Sequence, residues 1–159
     1  MKVLEIMNRH ARTCSPATHL AAVGQIMGGA ACGMVTVVDD DRRVLGVLTD
    51  RDVCLAVATS DQRPSEIRVG QMMSQGIVTC REDEVIESAL ETMRRRELRR
   101  LPVLDADGRF AGLLALDDIV LEERLGGETA AHRADFYAEL AATLKAICSH
   151  GTPGVVPWG

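Results

Sequence analysis

The chain alternates helical-period stretches with short apolar runs, and it does so twice. Over residues 18–27 the apolar positions Leu20, Val23, Ile26 and Met27 fall at helical spacing. The run Met34-Val35-Thr36-Val37-Val38 follows, then the polar stretch Asp39-Asp40-Asp41-Arg42, then a second apolar run over 44–48. Two apolar runs around a polar turn predict a β-hairpin. Thr49-Asp50 then opens a helix running to about Ala58. Thr and Asp side-chain oxygens accept the backbone N–H bonds that a helix start leaves unpaired. Further on, Val85, Ile86, Ala89, Leu90 and Met93 repeat the helical spacing. Leu101-Pro102-Val103-Leu104 and residues 110–114 flank Asp105-Ala106-Asp107-Gly108, and Asp-Gly is the stronger hairpin signal. Ala115-Leu116-Asp117 opens the closing helix. Each copy reads strand–helix–strand–strand–helix.

The two copies share one register. An offset of 66 residues links Gly46 to Gly112. It also links Met7 to Met73, Thr13 to Thr79, Cys14 to Cys80, Met27 to Met93, Asp39 to Asp105, Asp41 to Asp107, Arg43 to Arg109 and Asp52 to Asp118. So many unlike residue types do not hold a gapless register by chance, so the chain is a tandem duplication. It divides into a first repeat (1–58), a polar linker containing Pro64 (59–68), a second repeat (69–122) and an unduplicated tail (123–159). In the tail, Phe136, Leu140, Leu144 and Ile147 predict an amphipathic helix over about 128–147. Residues 151–159, with two prolines and three glycines, are expected to be irregular. About 60 residues make only a marginal core, so the copies are expected to bury their sheets and helices against each other.

Composition narrows the chemistry. The chain has 159 residues, a net charge of −5 and only 3% aromatics: Phe110, Phe136, Tyr137 and Trp158. The core must be aliphatic, and a base-stacking RNA platform is disfavoured. The acidic balance argues against nucleic acid and anionic membranes as partners. Residues 13–38 lack Asp, Glu, Lys and Arg, yet Pro16, His19, Gln25 and several glycines spoil a membrane span. Met1-Lys2-Val3-Leu4-Glu5 has no apolar signal-peptide region. The five cysteines (Cys14, Cys32, Cys54, Cys80, Cys148) form no Cys-x-x-Cys pair, so reduced thiols in a cytoplasm fit best. The four histidines share no ligand-like spacing, and no metal site is expected. No phosphate loop, nucleophile elbow or nucleophile–base pair points to an enzyme.

Two in-register copies of this element string resemble a cystathionine-β-synthase (CBS) domain pair, or Bateman module. The segments carrying the resemblance are "VLGVLTDRDV" in the first copy and "LRRLPVLDADGRFAGLLALDDIV" in the second, preceded by "VGQMMSQGIVTCREDEVIESALETM". The implied fold is α/β (α+β): tandem CBS domains, each a small sheet with two helices, paired about a pseudo-twofold axis. The implied role is regulatory and non-catalytic. Such a module senses an adenine nucleotide (AMP, ADP, ATP) or S-adenosylmethionine in clefts between its copies. A carboxylate suits the ribose cis-diol, and a Thr at a helix N-cap suits a phosphate.

Carried onto this chain, the resemblance implies two clefts. The first takes Leu48, Thr49 and Asp52 from one copy and Ile77, Val78, Thr79, Leu98 and Arg99 from the other. The second takes Leu114, Ala115 and Asp118 with Thr13, Cys32 and Gly33. It departs from the pattern, since Ala115 stands where Thr is expected and phosphate loses a hydroxyl. A homodimer is also implied, with the tail helix completing its interface or docking an unidentified protein partner.

Plainer readings stand beside these. Thr49 and Asp52 can simply cap the helix; capping explains Thr49 or Asp50, and accounts less well for the recurrence of Asp52 as Asp118. Arg94, Arg95, Arg96, Arg99 and Arg100 form the only dense basic cluster in the sequence. They suit a solvated helix C-terminus as well as ligand phosphates, with Arg99 the favoured phosphate contact. The alternative function is a ligand-free structural or interaction module that dimerises or docks a partner.

Overall fold

The computed structural model describes residues 1–122 and 130–149. The irregular ending expected over 151–159, and residues 128–129 of the expected tail helix, lie outside them. A 3₁₀ turn at Val3–Glu5 precedes the first repeat's β1 (Thr13–Cys14), α1 (Leu20–Ala30), β2 (Met34–Val38), β3 (Val44–Thr49) and α2 (Asp50–Thr59). After a single turn, α3 (Val69–Met72), the second repeat gives β4 (Cys80–Arg81), α4 (Ile86–Arg96), β5 (Arg100–Leu104), β6 (Phe110–Ala115) and α5 (Leu116–Leu121). The tail forms α6 (Ala130–Ser149). The result is a mixed α/β fold with two three-stranded sheets, ordered β1-β2-β3 and β4-β5-β6. The uncharged stretch 13–38 is divided among β1, α1 and β2, and no described helix is long and apolar enough to cross a membrane.

Both hairpins turn by the same chemistry. Asp39 Oδ1 accepts the N–H groups of Asp41 (3.0 Å) and Arg43 (2.8 Å). Asp105 Oδ1 accepts those of Asp107 (2.9 Å) and Arg109 (2.8 Å). The recurrence of Asp39 as Asp105 is therefore turn chemistry. Each turn needs a left-handed residue, and the repeats fill it differently: Gly108 at φ 76° and Arg42 at φ 63°.

The short segments leading into each repeat are exchanged. Val3 and Leu4 donate to the carbonyls of Glu84 and Glu82, both at 2.9 Å, and Asn8 bridges Leu113. At the equivalent positions, Val69 and Gly70 donate to Thr18 (2.8 Å) and Pro16 (2.9 Å), and Ser74 bridges Val47. The compact units therefore cut across the repeats. One contains Met1–Asn8, Val78–Val103 and the described residues from Gly112 onward; the other contains Arg9–Ile77 and Leu104–Ala111.

Each unit has an aliphatic core, as the aromatic count requires. Leu20, Val23, Val35, Val37, Leu48, Ile67 and Val69 fill that of the Arg9–Ile77 unit. Val3, Ile86, Ala89, Leu90, Met93, Leu101, Val103, Leu114 and Ile119 are among the fully buried residues of the other. There α6 packs along α4, and Arg94 reaches Glu139 at 3.6 Å. The tail-helix face differs from the expected one. Leu140, Thr143 and Ile147 are buried, whereas Leu144 is 41% exposed. Thr143 can be buried because its hydroxyl donates to the Glu139 carbonyl at 2.9 Å, leaving its methyl to pack.

Candidate functional site

In the Arg9–Ile77 unit, the strand–helix corner β3–α2 builds a reciprocal cap. Thr49 is the N-cap of α2, and its Oγ1 accepts the Asp52 N–H at 3.2 Å. Asp52 Oδ2 in turn accepts the Thr49 N–H at 2.8 Å and the Thr49 hydroxyl at 2.7 Å. Both residues are half-buried. Asp52 Oδ1 has no hydrogen-bond partner among the described residues, so one carboxylate oxygen stays available beside a helix N-terminus. The start of β2 adjoins this corner, because the Gly33 carbonyl accepts the Asp50 N–H at 3.2 Å and Met34 pairs with Thr49. A Cβ on Gly33 would lie 3.2 Å from Asp50 Oδ2, the end of an exposed side chain that can move aside. Thr13 pairs with Thr36 on the next strand.

The other unit repeats the corner with fewer bonds. Ala115 N–H donates to Asp118 Oδ2 at 3.0 Å, and Leu116 N–H donates to the Arg99 carbonyl at 2.8 Å. Ala115 has no hydroxyl to return. The recurrence of Asp52 as Asp118 is thus accounted for by capping after all: each carboxylate receives the N-cap N–H of its own helix.

The structure groups the expected ligand residues by corner. Leu48, Thr49, Asp52, Cys32, Gly33 and Thr13 share one unit, as does Ile77. Leu114, Ala115, Asp118, Leu98, Arg99, Val78 and Thr79 share the other. Leu48 and Leu114 are fully buried core side chains, so a ligand could meet only their backbone. Arg99 is exposed and forms no ion pair among the described residues, whereas Arg94 pairs with Glu91 and Arg100 approaches Asp117 at 4.0 Å.

The equivalent thiols Cys14 and Cys80 are buried and free. Burial pushes Cys14 up to about 11; burial, then the Glu84 charge, pushes Cys80 up to about 12. Sequence reasoning found one basic cluster and missed another. Arg9, His10, Arg12 and Arg42, distant in sequence, line one cavity. Comparing the repeats position by position would have found it, since the second copy has Gln75, Gly76, Val78 and Gly108 there.

Comparison with known proteins places these corners in context. The CBS domain family model matches residues 3–59 and 69–124. The inosine-5'-monophosphate dehydrogenase of Mycobacterium tuberculosis is 33% identical over 113 residues, which is 70% of this chain but only 20% of that enzyme. A conserved CBS domain protein of unknown function from Thermoplasma acidophilum has the same fold. Its TM-score is 0.71 at 22% identity, covering 92% of this chain and 75% of that one. The cytosolic domain of the Mg²⁺ channel MgtE, solved in complex with ATP, has a TM-score of 0.63 at 26% identity. It covers 72% of this chain and 46% of that one.

Proposed function

The chain belongs to the CBS domain family, and from that premise we propose that it is a regulatory module that binds an adenosine-containing ligand. AMP, ADP, ATP and S-adenosylmethionine are the candidates. The observation carrying this reading is the Thr49–Asp52 corner, where a half-buried carboxylate keeps one oxygen free next to the N-terminus of α2. A ribose cis-diol donates to such an oxygen in charge-assisted bonds. The ATP complex of the MgtE domain supports the ligand class. In this reading the residues expected for the adenine are Ile77, Val78, Thr79, Leu98 and Arg99, and Thr13, Cys32, Gly33, Leu114, Ala115 and Asp118 are those expected for a weaker second site. Ligand binding then alters the module's hold on a partner, which for a homodimer is a second copy.

A second reading, a ligand-free interaction module, is favoured by one observation: Asp52 and Asp118 both serve as helix caps. Calorimetric titration of the chain with the four candidates decides between the two. Saturable heat with one of them is expected. Asp52→Ala should then weaken binding by about tenfold or more, since hydrogen bonds to a charged group contribute about 1.5–3 kcal/mol. Absence of heat and of any thermal shift with all four favours the second reading. Unchanged affinity in Asp52→Ala removes that residue from the site.

A further inference from the structure

A cavity of about 520 Å³ in the Arg9–Ile77 unit is lined by Arg9, His10, Ala11, Arg12, Thr13 and Arg42. Three arginines and a histidine are among its six lining residues and none of the six is acidic, in a chain whose net charge is −5. From this concentration of cationic donors we propose that the cavity binds phosphoryl oxyanions.

The duplication sharpens the argument. At the equivalent positions the second repeat carries Gln75, Gly76, Ile77, Val78, Thr79 and Gly108. Only the threonine is shared, so the shared fold does not require the basic residues. Arg42 makes the point best. Its turn demands a left-handed residue, which Gly108 supplies freely in the other copy, whereas Arg42 holds φ 63° with a full side chain. That side chain is anchored. Its Nη2 donates to the Phe110 carbonyl at 2.8 Å, and its guanidinium lies 5.8 Å from the Phe110 ring centroid. One edge of the planar fork is fixed and further N–H donors remain. Arg12 is held beside the sheet because its carbonyl accepts the Thr36 N–H at 3.3 Å. Neither Arg12 nor Arg42 pairs with a carboxylate among the described residues. Asp39, near Arg42, is occupied by the turn. Arg12 and Arg42 lie on the exposed rim of this concavity, and guanidinium forks suit a ligand bearing more than one phosphoryl group. Thr13 is the only lining residue shared with the expected clefts, and the proposal does not rest on the adenosine site.

The test is calorimetric titration of the chain with inorganic tripolyphosphate and, separately, with ATP and AMP. Saturable tripolyphosphate binding is expected, weakened at least tenfold by Arg12→Gln and by Arg42→Gly and unchanged by Asp52→Asn. Arg42→Gly installs the residue the second repeat already uses at this turn, and a thermal melt confirms its fold. ATP binding that depends on Arg12 and Arg42 without tripolyphosphate binding supports the site and makes the source a nucleotide. If no phosphate compound binds in a manner sensitive to both arginines, the proposal is overturned, whatever Asp52→Asn does.

Discussion

The two repeats start the same helix in two ways. At α2 a hydroxyl and a carboxylate exchange hydrogen bonds between Thr49 and Asp52; at α5 Asp118 caps alone because Ala115 has nothing to return. The helix forms in both cases, so its start does not require the hydroxyl. What Thr49 adds beyond α2 stability is therefore the part of the corner open to another use. The duplication works as an internal control, and each substitution that makes one copy resemble the other asks what a difference is for.

The largest effects are expected where the copies agree. Gly46 and Gly112 both lie against the lead-in segments. A Cβ at Gly112 would sit 2.7 Å from the Asn8 carbonyl oxygen, which is backbone. At Gly46 it would meet Met73 Sδ at 2.6 Å and the Ser74 carbonyl oxygen at 3.0 Å. A methionine side chain can swing away and a main chain cannot. Gly112→Ala should therefore destabilise by about 3 kcal/mol and Gly46→Ala by about 1–2, read from urea unfolding midpoints. Equal losses would mean that the Met73 side chain is as fixed as the backbone.

Next in size is the cap itself. Thr49→Ala gives the first repeat the second repeat's cap and should destabilise by about 1 kcal/mol. Ala115→Thr makes the reverse change and should recover up to the same amount, provided its hydroxyl reaches the Asp118 N–H. If Thr49→Ala leaves stability unchanged, the reciprocal bonds of that corner contribute nothing to folding, and its hydroxyl is better explained by a ligand.

These corners also mark how far the sequence can be read. Hairpins, helix starts and the aliphatic core follow from local period and turn chemistry, and they appear where the pattern puts them. The exchange of lead-in segments does not follow, because Val3 and Val69 bond through backbone groups that carry no residue signature. Counting apolar positions put Leu144 inside, while a hydroxyl satisfied by its own helix let Thr143 take that place. That Thr49 caps its helix was legible in the sequence, but its exchange of bonds with Asp52 and the repeat of the capping bond at Asp118 needed the coordinates. The Arg12–Arg42 cavity escaped because it joins residues far apart along the chain.

A smaller gain is expected from α1. Gly24, Gly28 and Gly29 face open space, whereas their equivalents in α4 are Leu90, Arg94 and Arg95. Glycine in a helix interior is about 0.5–1 kcal/mol worse than alanine through backbone entropy. Gly28→Ala should raise the unfolding midpoint accordingly. A fall instead would show that something packs against this face in solution, as a second copy would.

The smallest difference is expected between Cys14 and Cys80. At pH 8 their raised pKa values, about 11 and about 12, leave only about one thiolate in a thousand and one in ten thousand. Cys54 and Cys148 are exposed. Maleimide or iodoacetamide should therefore label those two first, while Cys14 and Cys80 react only when their units open. Opening-limited labelling of each buried thiol should rise in urea as its own unit opens, read by peptide mass spectrometry. Labelling of Cys14 or Cys80 in native buffer as fast as that of Cys54 would mean that the thiol is not buried in solution.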